Sequence, residues 1–348
     1  MKHRACAALA VSMVLAAFFI PGGCRRNSGP DASRGSSIGV FIPGVMSGSP
    51  VYEMLAEGVR SAVDRYNSAQ TGAGPVELTV IEGGYNQAEW ETKLTAMAAS
   101  LAYDLIVSSN PSLPDIVSHI SSRFPDQRFL LLDGRLEGNP HVYTLRYNQR
   151  EQAYMAGSMA ALVSEAAGPG PRKVGLVAAQ EYPVMNNIIL PGFLEGAQGI
   201  NPGYTVDFRI VGNWYDAAKA GELAADMIRG GVRVLLCIAG GANEGVIHAA
   251  AEGGAKVVWF DTNGYAIGPG IVVGSSVLYQ DKAAYNQVLR YLEGTLSFGA
   301  AETLGVKDGY VDFIQDDPAY IRAVPPELRE RQAAIIEGIR SGALALPL

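Results

Sequence analysis

VRVLLCIAGGANEGVIHAAAEGGAKVVWFDTNG, residues 232–264, packs a strand, a helix and a second strand into one short stretch. Val232–Ile238 is apolar save for Arg233, Asn243–Glu252 places apolar residues at helical spacing, and Val257–Phe260 is apolar again. A strand that is apolar along its length suits a sheet covered on both faces. Strand, helix, strand in that order predicts a parallel pair joined by a right-handed crossover. The same rhythm extends in both directions. Ile38–Ile42, Leu78–Glu82, Leu105–Ser108, Phe129–Leu132 and Val142–Arg146 are strand-like runs before it. Val174–Ala178 and Val206–Val211 lie nearer, and Ile271–Gly274 follows. Between them Val51, Leu55, Val59 and Val63 share one helix face, as do Met159, Leu162 and Val163, and Ala217–Arg229 has the same helical spacing.

The rhythm breaks after Val142–Asn148, where a helix opens a second series of strands. The expectation is an α/β chain of two doubly wound, parallel-sheet lobes joined by a hinge. The first lobe takes 37–146 plus about 275–305, the second 147–274 plus about 306–348. Doubly wound sheets bind ligands beyond the carboxyl ends of their strands, and two facing lobes can close around what they hold. Residues that follow strands are therefore the candidates.

At 348 residues, 48% hydrophobic and 18% charged, the chain is long enough for two cores and too apolar for disorder. A net charge of −7 argues against nucleic acid as a partner. Lys2, His3 and Arg4 precede an apolar run, Ala5 to Ile20, then Pro21, Gly22 and Gly23 lead to Cys24. That is a secretory signal over 1–23, too short for a membrane span. Small residues directly before a cysteine resemble a bacterial lipobox, which makes Cys24 the lipidated first mature residue and 24–36 a flexible tether. An ordinary signal with a chance cysteine is the competing reading. Of the 3 cysteines only Cys237 then remains free inside the fold, mid-strand and without a neighbouring base. The 4 histidines show no metal-ligand spacing, so neither metal nor cofactor is expected. No G-x-S-x-G elbow, H-E-x-x-H or P-loop occurs, and no enzyme is expected.

Several segments together resemble the basic membrane protein lipoproteins, whose characterised relatives include purine nucleoside receptors. They are VFIPGVMSGSPVYEMLAEGV (40–59), YNQREQAYMAGSMAAL (147–162), LPGFLEGAQGINPGY (190–204), residues 214–254, FDTNGYAIGPGIVVGSS (260–276) and VPPELRERQAAIIEGIRSGALALP (324–347). The resemblance implies a type I periplasmic-binding-protein fold and a monomeric, lipid-anchored, extracytoplasmic capture protein. Its partners would be a nucleoside-like small molecule and the permease and ATPase of an ABC importer. A sensor lipoprotein without a transporter, or a sugar as ligand, is the alternative.

Asp261 ends the run Val257–Phe260, and an ionised carboxylate there can accept from two sugar hydroxyls. In the family the Asp of this strand end holds ribose; D-T-N-G also reads as a turn. Trp214 and Tyr215 follow a strand, and an aromatic there can stack on a base, or simply pack. Trp214 matches an often aromatic family position. Tyr52 is a candidate opposite wall, or a core tyrosine. Asn110 offers donor and acceptor to a base edge, although Asn before Pro also starts turns. Gly240, with Gly241, can admit a ligand to the backbone at a helix start. The sequence departs from the family twice. Gly48–Tyr52 stands in place of D-K-S-F-N, and Tyr279 stands where a family Lys, three residues after the Ser matched by Ser276, helps hold ribose. Lys282 lies three places on and would point elsewhere on a helix.

Overall fold

The computed structural model describes residues 36–70 and 74–346. Cys24, the signal and all of the tether but Ser36 lie outside those residues. The first half of the chain runs β1 (Ser37–Ile42), α1 (Pro50–Ala69), β2 (Glu77–Glu82), α2 (Trp90–Ala99), β3 (Leu105–Ser109), α3 (Leu113–Arg123), β4 (Arg128–Leu132) and β5 (Val142–Tyr147). Then follow α4 (Gln149–Ala166), β6 (Lys173–Ala178), α5 (Leu190–Ile200), β7 (Thr205–Ile210), α6 (Ala217–Arg229), β8 (Val234–Ile238), α7 (Asn243–Gly253), β9 (Lys256–Asp261) and β10 (Val272–Leu278). The chain ends with α8 (Gln280–Leu292), β11 (Ala301–Leu304), β12 (Val311–Phe313), α9 (Pro318–Ala323) and α10 (Pro326–Ser341).

Two six-stranded sheets result, ordered β11-β5-β4-β3-β1-β2 and β12-β10-β9-β8-β6-β7. Position by position the orders match, so β4 corresponds to β9, β2 to β7 and β1 to β6. The fold is therefore the doubly wound α/β architecture expected, built twice. One strand departs from parallel: β12 pairs antiparallel with β10, because the chain turns sharply through Gly305–Tyr310 on leaving β11.

Alternation along β1 shows how the first sheet is covered on both faces. Ile38, Val40 and Ile42 join the core that includes Leu55 and Val59 of α1, while Phe41 joins Trp90, Leu94, Val117 and Ile120 of α2 and α3. In the second sheet all of β8 is buried, as its continuous apolar sequence requires. Helix α4 lies against β8, β9 and β10 and is buried along most of its length. Its glycine Gly157 lets it press on α5, since a Cβ there would collide with the Phe193 carbonyl.

The chain crosses between sheets at three places: after Tyr147, after Leu278, and between Leu304 and Val311. The strand predicted to end at Gly274 continues to Leu278 within the second sheet, past the return to the first lobe expected near 275. Ser275 and Ser276 are buried there because each is tied down, Ser275 by the Tyr265 hydroxyl (3.1 Å to its N) and Ser276 by donating to the Gln152 carbonyl (2.8 Å).

Candidate binding cleft

Two carboxylates occupy equivalent places in the two lobes. Asp133 follows β4 and Asp261 ends β9, each at a strand's carboxyl end. Both have left-handed backbone, φ 54° and 71°, and Asp261 is the centre of a γ-turn closed by Thr262 N–H donating to the Phe260 carbonyl at 2.9 Å. Such conformations cost on the order of 1 kcal/mol outside glycine, and a short Asp side chain tolerates them best. The left-handed backbone stands at matching strand ends of both sheets, and the charge of Asp261 is felt at Asp133.

The carboxyl group of Asp261 accepts from Gln152 Nε2 at 3.1 Å, and the same Nε2 donates to the Ser276 carbonyl at 3.1 Å. Both partners of that nitrogen are acceptors, which fixes the orientation of the amide. Gln152 is 0% exposed and its Oε1 has no hydrogen-bond partner. Withdrawal from water between the lobes pushes Asp261 up to about 6 against the Gln152 bond, which pulls it down. The same withdrawal, reinforced by the charge of Asp261, pushes Asp133 up to about 8. Among the described residues neither carboxylate belongs to an ion pair.

Aromatic side chains surround the pair. Tyr52, in the first turn of α1, donates to the Pro43 carbonyl at 3.0 Å and accepts from Asn110 Nδ2 at 3.3 Å. Withdrawal from water pushes its phenol up to about 12, opposed by the Asn110 bond and helped by the charge of Asp133. Asn110 takes the turn role foreseen for it, its Oδ1 accepting from Ser112 N at 2.9 Å in the turn before α3, while its Nδ2 reaches the Tyr52 hydroxyl. Tyr182 lies within the fields of both Asp261 and Asp133, and its ring centre is 6.4 Å from that of Trp214, tilted by 41°. Trp214 is 40% exposed, so one part of its indole is free for a ligand. Gly240 adopts φ 59° and passes so close to Trp214 that a Cβ would stand 3.1 Å from its carbonyl oxygen. The glycine thus seats the tryptophan.

Tyr279 does not join this group. It stands at the start of α8, its N–H donating to the Tyr310 carbonyl at 2.9 Å, and its phenol lies in the fields of Asp312, Asp316, Asp281 and Arg340. Lys282 is also elsewhere, with Nζ on the Gly309 carbonyl at 2.8 Å and over the Tyr310 ring at 4.8 Å. The residue beside Tyr279 faces inward instead. Gln280 is wholly buried, accepts from Ser109 Oγ (3.0 Å) and the Tyr147 hydroxyl (3.2 Å), and donates to the Val51 carbonyl (3.0 Å). It ties β3, β5 and α1 together beneath the cleft. Cys237 is buried in β8 with its thiol pushed up by withdrawal from water, which leaves it unreactive.

At the rim, Tyr85 after β2 meets Tyr215 after β7 edge to face, ring centres 6.5 Å apart and planes at 69°. These are corresponding edge strands, and the two rings are 79% and 70% exposed, so the contact bridges the lobes at the surface. Two hollows of about 560 and 570 Å³ lie away from the carboxylates. One is at the opposite, amino-terminal end of β8 and β9 around Arg233 and Lys256, and the other is between α8 and β11 around Arg290 and Glu302. Ligand sites of doubly wound sheets lie at the carboxyl ends, where Asp133 and Asp261 are.

The sequence assigns binding roles to Asp261, Trp214, Tyr52, Asn110 and Gly240, which the fold gathers at the strand ends; Asp133 and Tyr182 fall among the residues that follow strands but receive no role there, and Gln152 and Gln280 are missed. Asp133 follows an apolar run just as Asp261 does, which was a usable signal. Gln152 is a lone polar residue on the buried face of an Ala- and Met-rich helix, a weaker one.

Similarities to known proteins bear on the family and the fold. The chain is 25% identical over 263 residues to a CD4+ T-cell-stimulating antigen of Listeria innocua, covering 72% of this chain and 69% of that protein. It is 28% identical over 153 residues to an ABC transporter nucleoside-binding protein, BmpA, of Lactococcus lactis (44% and 42% covered). It is also 28% identical over 161 residues to a purine-binding protein of Brucella abortus (46% and 43%). The matched stretches thus span about two thirds of the first of these and under half of the other two. Among solved structures, a transcriptional activator of the comK gene from Bacillus halodurans superposes with TM-score 0.70 at 21% identity, covering 89% of this chain and 99% of the other. An ABC transporter solute-binding protein from Aeropyrum pernix superposes with TM-score 0.69 at 23% identity, covering 89% and 87%. At those identities the structures show a shared fold. The family model described as ABC transporter substrate-binding protein PnrA-like matches residues 36–345, nearly all of the described structure, and the chain belongs to that family, Bmp.

Proposed function

We propose that this chain is a lipid-anchored, extracytoplasmic capture protein of an ABC importer that binds a nucleoside, a purine nucleoside first, in the cleft between its lobes. The observation that carries the reading is Asp261, held by a γ-turn at the carboxyl end of β9 and oriented by Gln152, with the Trp214 and Tyr182 rings in the same cleft. A carboxylate so held accepts from neighbouring ribose hydroxyls, and charge-assisted bonds of this kind are about twice as strong as neutral ones. Trp214 and Tyr52 supply aromatic surface from opposite lobes, and stacking on such a surface contributes about 1–3 kcal/mol per base in nucleic-acid binders. The second N–H of Asn110 Nδ2, whose first is on the Tyr52 hydroxyl, addresses a base edge, and Gly240 supports the Trp214 wall. Cys24, outside the described residues, carries the lipid, and no helix among the described residues is long and apolar enough to cross a membrane. The nucleoside-binding and purine-binding relatives support the ligand class.

Thermal unfolding with a panel of nucleosides, free bases and sugars tests this. A purine nucleoside at a thousandfold excess over its Kd should stabilise the protein by about 4 kcal/mol and raise its melting temperature accordingly. A rise with sugars and none with any nucleoside would overturn the ligand class.

A further inference from the structure

We propose that the ligand selected by this cleft carries positive charge on nitrogen: a nucleoside-sized organic cation in preference to an uncharged nucleoside. The inference rests on the cleft being the binding site, as argued above, and goes beyond it in the charge of the ligand.

The cleft is rich in acceptors and poor in donors. Asp133 and Asp261 reach it from equivalent strand ends of the two lobes, within each other's field. Among the described residues no lysine or arginine is paired with either. The cations near the position of the family lysine are occupied, Lys282 on the Gly309 carbonyl and Arg340 on Asp312 at 3.1 Å. The hydroxyl protons nearby are also committed, that of Tyr52 to the Pro43 carbonyl and that of Tyr147 to Gln280. Independently of the acids, Gln152 presents a wholly buried Oε1 that lacks a donor, on the same amide that holds Asp261. A buried acceptor without a donor is costly, and a ligand N–H at this place removes the cost.

Two carboxylates and an orphan carbonyl oxygen together ask for several N–H donors and for charge. An uncharged nucleoside brings hydroxyls and an amino group but no charge, so Asp133, pushed up to about 8, keeps its proton at neutral pH beside Asp261, whereas a cation draws that proton off and pairs with both carboxylates. A cationic nitrogen satisfies them with charge-assisted bonds, and the Trp214 and Tyr182 rings add the attraction of an aromatic face for a cation.

Titration calorimetry at neutral pH, with the full-length protein in detergent, decides the matter. The probes are adenosine and its cationic N1-methyl derivative, guanosine and its cationic N7-methyl derivative, and spermidine. Each cationic nucleoside should bind about tenfold tighter than its neutral parent, or more. In Asp133→Asn that preference should vanish. Asparagine accepts a left-handed backbone as aspartate does, and a melting curve of the unliganded variant checks that it folds. Neutral parents binding as tightly as the methylated cations would overturn the cation inference and leave the nucleoside reading standing. Spermidine binding alone, lost in Asp133→Asn, would uphold the cation and overturn the nucleoside. Binding by none of the probes would overturn both.

Discussion

Asp261→Ala is expected to abolish the ligand-induced rise in melting temperature. The substitution removes the carboxylate that the γ-turn and Gln152 hold at the carboxyl end of β9. It also places a residue ill suited to φ 71° there, at a cost on the order of 1 kcal/mol to the fold. Asp261→Asn separates the two effects, because asparagine keeps the shape and tolerates the backbone. Gln152 Nε2 retains the Ser276 carbonyl in either variant, so the interior of the second lobe stays tied. Loss of a hydrogen bond to a charged group costs about 1.5–3 kcal/mol, so Asp261→Asn should weaken binding by roughly ten- to a hundredfold in calorimetry. An Asn variant that binds as the natural chain does would remove Asp261 from the site.

The second large effect is on stability against pH. Asp133 and Asp261 stand at about 8 and about 6 in the folded chain, against 3.8 when unperturbed. The folded state therefore keeps protons that the unfolded chain has already released above pH 4. Stability from this pair is full below the unfolded value and is lost as pH rises through the two folded values. By those values the unliganded protein should lose about 5 kcal/mol between pH 5 and pH 8.5, seen as a falling melting temperature. The groups facing the pair, Tyr52, Tyr147 and Tyr182, are all pushed up and remain neutral throughout. Glu151 is pushed up by withdrawal from water and adds to the trend, whereas Glu89 and Asp317 are pulled down by hydrogen bonds and act in the opposite sense only at more acid pH. Asp133→Asn should flatten the slope and raise the stability of the unliganded protein at pH 8. A melting temperature that rises over this range, or is indifferent to Asp133→Asn, would contradict the picture of two uncompensated acids.

Much of the architecture was legible because strand patterns here are strong. β8 is apolar along its length and β9 from Val257 to Phe260, and the crossover between them sets hand and direction. The misjudged end of β10 has a clear cause. Ser275 and Ser276 read as the polar end of a strand, but their partners Tyr265 and Gln152 come from elsewhere in the chain and make burial possible. β11 and β12 are too short to carry a period. Asp261 was found because a carboxylate after an apolar run is a local signal. Asp133 follows one equally apolar, yet nothing local reveals that β4 and β9 hold the same place in their sheets. The spacing of Tyr279 from Ser276 does not tell that the strand continues to Leu278 and that the phenol then stands in the fields of Asp312, Asp316 and Asp281.

The most direct measurement is the mass of whatever the protein carries when purified from its source without unfolding, released by denaturation and identified by mass spectrometry. One equivalent of a molecule of nucleoside size, with a base, is expected, and none from Asp261→Ala prepared in parallel. Stoichiometric release of a sugar or other molecule without a base, retained equally by Asp261→Ala, would contradict the nucleoside reading.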